Sequence, residues 1–377
     1  MDIDLNWILL GLPIAFALGW LASRLDFRQL RIQNRQAPKA YFRGLNFLLN
    51  EQQDKAIDAF IEAVQNDPDT SELHFALGNL FRRRGEYERA VRVHEHLLSR
   101  GDLDQHDRER AQHALALDFL KAGLLDRAEE ALHRLNGTSF QTEAQLAMLS
   151  IYERARDWPQ AAATASGLAS SSQGDFSGRQ AHYLCEQAKG LPPEQALLLL
   201  QRASAIAPAL ARPRMELAEI EAGRGDEQAA FQTLMVLAEK TPATLPLVAL
   251  RLAQVARACG REPEAIAVLD HSYQQSHSLD LLDALRDLEP DPASARDRCL
   301  RHLEKEASLS AAARMLKGEK LPNEGLQKLL QASLERAAKP LQRYRCAACG
   351  FEASQYFWQC PGCQTWDSFP PRRIEEL

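Results

Sequence analysis

Aromatic side chains are scarce in this chain, at 7% of 377 residues, while alanine and leucine are abundant. That balance favours helices with small contacts between them over a β-sandwich. Alternating, β-branched runs of strand length are almost absent before the last 35 residues. An excess of positive charge is missing too. Lys and Arg number 45 against 51 Asp and Glu, and a net charge of −6 gives no support for broad nucleic-acid affinity. No recurring pattern of histidines and acids suggests catalysis. The length suits two or three ordinary domains or one repeat array.

One long charge-free run is present. Leu5 to Ala22 (LNWILLGLPIAFALGWLA) has 18 residues. As a helix it spans about 27 Å, close to the thickness of a hydrocarbon core. Trp7 and Trp20 sit near its ends, where amphipathic rings prefer the interface. Pro13 is tolerable in a membrane helix. Asp2 and Asp4 precede the run, and Arg24, Arg28, Arg31 and Arg35 follow it. A cleaved signal peptide would start positive and end in small residues, the reverse of this order. The expectation is a single anchor over 1–23, a basic juxtamembrane linker over 24–36, an external N-terminus and a cytoplasmic remainder.

The middle of the chain repeats itself. Gly44 recurs as Gly78 and Ala56 as Ala90, each 34 residues later. The phase continues with drift through Gly123, Ala128, Ala161, Ala196, Gly225, Ala230, Gly260 and Ala265. This pattern resembles the tetratricopeptide (TPR) repeat, a pair of antiparallel helices that cross where side chains are small. Pro68 ends the second helix of its pair. The fold class expected is all-α: a TPR superhelical array over 37–338, with seven units to about 275. Segments 278–303 and 305–338 then add degenerate pairs. The Ser/Gly stretch 166–178 reads as a loop. Such stacks present a concave surface that takes peptides or protein faces. Asn79, Arg82 and Arg83 share one face of a first helix by helical phase. They read either as a partner-binding surface or as a solvated helix end complementing the dipole. His94 and His96 read as packing or surface residues rather than ligands.

The last domain, 339–377, carries Cys346-Ala-Ala-Cys349, ten residues, then Cys360-Pro-Gly-Cys363. Two such knuckles supply four thiolates for one tetrahedral ion. Gly350 and Gly362 fit tight turns beside the sulfurs. A disulfide pair is the competing reading. Cys185, Cys259 and Cys299, isolated in helical segments, argue for a reducing compartment instead. Tyr344, Phe351, Tyr356, Phe357, Trp358 and Trp366 are dense here and are expected to form a small core that still needs the metal. Tyr344, Cys349-Gly350 and Cys360-Pro361-Gly362-Cys363 resemble rubredoxin and the zinc ribbons. Gln364 departs from the pattern, because rubredoxins usually place glycine there, and the stretch between knuckles is short. A closed Cys₄ shell suits zinc; iron is the alternative. No position is left open for a catalytic water.

The order anchor, repeats, knuckle and the wording GLNFLLNEQQDKAIDAF, LGNLFRRRGEYERAVRVH, AGLLDRAE and YRCAACGF…CPGCQTW resemble the lipopolysaccharide assembly protein B family. The resemblance implies a non-enzymatic inner-membrane adaptor that limits lipopolysaccharide synthesis by promoting proteolysis of the deacetylase LpxC by the protease FtsH. It also implies a modulating inner-membrane protein and a link to lipopolysaccharide or its transport machinery. Self-association stays open, and no nucleic-acid partner is expected. An iron redox protein and an envelope TPR scaffold with another client are the alternatives.

Overall fold

The computed structural model describes residues 16–18, 20, 39–66, 70–170, 174–319 and 321–377. The expected anchor and basic linker lie almost wholly outside these residues. Among the described residues no helix is long and apolar enough to cross a membrane. The chain forms two compact units that divide between Arg156 and Asp157.

The first unit consists of helices: α1 over 39–49, then α2 (Gln53–Asn66), α3 (Ser71–Arg84), α4 (Tyr87–Ser99), α5 (Gln105–Ala122), α6 (Leu125–His133) and α7 (Gln141–Ala155). The repeat glycines sit where paired helices cross. A Cβ on Gly44 would lie 2.9 Å from the Phe60 ring, and one on Gly78 would lie 2.5 Å from His94 Nε2. First helices end in left-handed caps. Gly85 (φ 83°) and Gly123 (φ 79°) donate their amides back to the last turn. Arg156 does the same at φ 57° without being glycine.

First helices touch one another directly, α3 on α5 and α5 on α7, and so form one wall of the unit. Arg82 ties the first two together, donating to Ala114 O (3.1 Å) and to Asp118 Oδ1 (2.8 Å). Asp118 and His94 are fully buried, with His94 Nδ1 2.5 Å from Asp118 Oδ2. Contacts among α3 to α6 also lay an arginine on a phenylalanine: Arg89 over Phe81, Arg110 over Phe75 and Arg127 over Phe119, all at 4.1 Å.

The second unit continues the pairing. Its helices are α8 (Trp158–Ser170), α9 (Ser177–Ala188), α10 (Pro193–Ile206), α11 (Arg212–Gly223) and α12 (Glu227–Lys240). A 3-10 turn (Pro242–Val248) leads into α13 (Ala249–Ala258) and α14 (Glu262–Ser276). The last four are α15 (Leu279–Leu288), α16 (Pro292–Lys305), α17 (Leu309–Gly318) and α18 (Glu324–Ala338). Its main core is mostly leucine and alanine, joined by Phe231, Tyr273, Val248, Val255 and Cys299. The expected loop at 166–178 is shorter than its composition suggests. Residues 166–170 belong to α8, because Ala165 and Leu168 are fully buried and hold the helix against its neighbours. Cys185 and Cys299 are buried, and burial pushes the Cys185 thiol up to about 12.

Candidate metal centre

Two short strands open the C-terminal module. β1 (Tyr344–Arg345) pairs antiparallel with β2 (Glu352–Ala353), Tyr344 opposite Ala353, and this closes the first knuckle. Cys346 N–H donates to Phe351 O (2.9 Å), and Gly350 N–H donates to Cys346 O (2.9 Å). Gly350 takes φ 77°, where glycine is favoured. The second knuckle copies the first: Cys360 N–H donates to Thr365 O (2.9 Å) and Gln364 N–H to Cys360 O (2.8 Å). Gln364 adopts the left-handed conformation all the same, at φ 61°. That costs on the order of 1 kcal/mol, which the fixed turn supports. Gly362 is not left-handed. A Cβ there would meet Phe351 at 3.4 Å and Cys349 Sγ at 3.5 Å, ordinary contact distances, so neither backbone nor space demands glycine at this position.

The four sulfurs of Cys346, Cys349, Cys360 and Cys363 all lie within 4.8 Å of one another. Two edges of the cluster are short, Cys346–Cys363 at 3.8 Å and Cys349–Cys360 at 3.7 Å. A tetrahedron with metal–sulfur bonds of about 2.3 Å has edges of about 3.8 Å, so the cradle fits one ion. Disulfide bonding needs sulfurs at about 2.05 Å and is excluded. Cys346 and Cys360 are buried; Cys349 and Cys363 open to solvent. Burial opposes ionisation of Cys346, but the Ser368 hydroxyl and the amides of Cys349 and Ala348 pull it below the usual thiol range. Thr365 does the same for Cys363. Cys349 is pushed up: the Phe351 amide works to lower it, while burial and the neighbouring sulfurs raise it further. Such a cluster yields its first thiolates readily and needs a cation to yield the last.

The aromatic residues divide into two groups. Tyr344, Phe369 and the two buried cysteines form the module core with Tyr356 and Phe357, and Leu247 of the 3-10 turn joins them. Trp358 and Trp366, expected in that core, turn toward the helices instead, and Phe351 is 40% exposed. They turn because a module this small has too little interior for six rings, and the helices offer a deeper apolar surface. Trp366 stacks on fully buried His182 of α9, centroids 4.6 Å apart, with Trp158 and Tyr183 edge-on. His182 Nε2 lies 3.0 Å from both Asp367 oxygens, and Arg212 Nη1 lies 3.3 Å from Nδ1. Arginine has only N–H to offer, so Nδ1 accepts and Nε2–H donates to Asp367. Arg212, 1% exposed, is balanced by Glu186 (2.5 Å) and Glu216 (2.7 Å).

The tail completes the dock. Arg373 forks onto Asp280 at 2.7 and 3.0 Å. Glu376 accepts from Leu279 N–H (2.6 Å) at the start of α15, and Glu375 accepts from Ser310 N–H (3.1 Å) in the first turn of α17. No motif marks His182, Arg212, Asp280, Asp367, Phe369, Arg373, Glu375 or Glu376.

The other expected site residues lie in the first unit. Asn79 Oδ1 accepts from Arg82, Arg82 is half-buried on Asp118, and Arg83 is exposed.

Residues 344–371 match the rubredoxin metal binding domain, and residues 73–109 match the tetratricopeptide repeat. Along the whole chain the similarity is to one set of proteins. Lipopolysaccharide assembly protein B of Escherichia coli (strain K12) is 29% identical over 385 residues, covering 98% of each chain. The chain is a full-length homologue of lipopolysaccharide assembly protein B. The protein of that name from Haemophilus influenzae is also 29% identical, over 408 residues and 98% of each chain.

Proposed function

We propose that this chain is a membrane-tethered scaffold, not an enzyme, that acts in lipopolysaccharide assembly at the inner membrane. On this reading it presents LpxC to FtsH and so limits lipopolysaccharide synthesis, under control of another inner-membrane protein. The observation that carries the reading is the full-length homology to assembly protein B together with the seating of the metal module. The four-cysteine cradle is built into the scaffold and has no open coordination position, which suits a shape-holding ion. That ion is zinc. Colourless purified protein with one zinc per chain supports this; a coloured iron centre overturns it.

Residues 5–22 anchor the chain, with the N-terminus periplasmic and the rest cytoplasmic. Confinement to the bilayer raises the effective concentration of scaffold, protease and client, so weak contacts suffice. The deciding experiment is crosslinking capture from membranes. Recovery of FtsH and LpxC is expected. Their absence beside another stable partner assigns the scaffold a different client.

A further inference from the structure

Three first helices of the first unit carry an exposed cation at one structural position. It lies two residues before the left-handed cap: Arg83 before Gly85, Lys121 before Gly123 and Arg154 before Arg156. Among the described residues none of the three has an acidic partner. Their neighbours do. Arg82 is held by Asp118, and Arg84 by Asp54 and Glu86. Glu86 is also taken by Arg89, and Glu88 by Arg92.

A cation near a helix C-terminus is ordinarily a complement to the dipole. That explanation covers a cation in or beside the last turn in either unit; what it leaves over is the fixed position two residues before the cap and the lack of an acidic partner there. The same position in the second unit, before left-handed Gly190, Gly225 and Gly260, holds Ala188, Gly223 and Ala258. Of the cations nearby there, Lys189 and Arg257 are paired with Glu186 and Asp287, and Arg224, next to Gly225, stands alone without an acidic partner among the described residues, so that unit has one such cation and no row. The unpaired row is thus a property of the first unit alone. It lies on helices that touch in sequence, so its members are spaced by about one helix packing distance, about 10 Å. One helical turn earlier on each lie Asn79, Leu117 and Ser150, all half-buried and uncharged.

The geometry points to a docking track for an extended acidic peptide of a partner protein. An extended segment of polyproline II type rises about 3.1 Å per residue with three residues per turn, so every third side chain faces the same way, about 9 Å from the last and close to the cation spacing. The ligand class is therefore a segment with a carboxylate at every third position. It needs no free C-terminus. This deepens the scaffold reading by naming the chemistry of one partner surface.

The test uses the full chain in detergent micelles and a fluorescein-labelled peptide bearing glutamate at every third position. A composition-matched isomer with its glutamates clustered is the comparison. Saturable binding that prefers the spaced isomer and weakens with added salt is expected. Each of Arg83→Glu, Lys121→Glu and Arg154→Glu should weaken it about two- to fivefold, and the triple variant should abolish it. All three positions are exposed, so unchanged thermal unfolding of the variants serves as the folding control. No binding, equal binding of the two isomers or an unaffected triple variant overturns the proposal. So does stronger binding to phosphatidylglycerol vesicles than to the peptide, which would make the row a lipid contact. Capture of FtsH and LpxC is scored separately, so either reading can fail without the other.

Discussion

The two units use the same helical pairs and leave their first helices in opposite conditions. Among the described residues, three of the first unit's first helices carry unpaired cations beside half-buried neutral residues. In the second they are already occupied by the chain's own C-terminus. His182 of α9, Asp280 of α15 and Ser310 of α17 each meet the metal module or its tail. A repeat array binds through such surfaces. The second unit spends its surface on an internal ligand, and the first keeps its surface for others. The ion matters to this division because Trp366 and Asp367 follow Cys363 by only a few residues.

Removing the metal should therefore damage one unit and spare the other. Structural zinc sites contribute on the order of 10 kcal/mol of apparent binding energy, so this is the largest effect expected. Chelation, or Cys346→Ser with Cys360→Ser, should raise amide hydrogen exchange in α9 and at the starts of α15 and α17. Exchange in α3 and α5 should not change. Equal loosening of both units would mean that the module supports the whole array and that the contrast is false.

The converse break is Asp118→Ala. It strands buried His94 and the guanidinium of Arg82, and removing one partner of a buried pair costs about 3–5 kcal/mol. Faster exchange should be confined to α3, α4 and α5, with metal content unchanged. Asp118 also shows what a sequence can and cannot reveal. The 34-residue period and the cysteine spacing were legible because each is a local signal repeated in register. The fate of Arg82-Arg83-Arg84 was not. Three successive helical positions sweep about 200° around the axis, so such a run cannot share one face. Which arginine turns inward depends on an aspartate 36 residues away. The same limit hid the dock, since His182 and Asp367 stand 185 residues apart. Gln364 was legible as a departure from the ribbon pattern, but its left-handed backbone shows that the turn tolerates it.

Trp366→Ala tests the dock without touching a ligand. Losing a large ring from a packed contact costs about 3 kcal/mol. The module should keep its metal while α9 exchanges faster, and retained protection in α9 would show that the tail alone holds the module.

The smallest effect belongs to Glu376, and it has a sign. Burial pushes its carboxyl above the ordinary 4.5, although the amides of Leu279 and Arg373 pull the other way. A carboxyl raised on folding binds its proton more tightly in the native state. Its contribution is present in full below 4.5 and is lost as pH rises through the higher folded value. Stability of the second unit, followed by exchange at the start of α15, should thus carry a shallow downward slope above pH 4.5 that Glu376→Gln removes. The substitution keeps an oxygen for the Leu279 amide, so the loss at neutral pH should stay within about 1 kcal/mol, the scale of a helix cap. An unchanged slope would mean that the tail's carboxylate is better solvated than its burial implies, and that Arg373 and Trp366 carry the attachment.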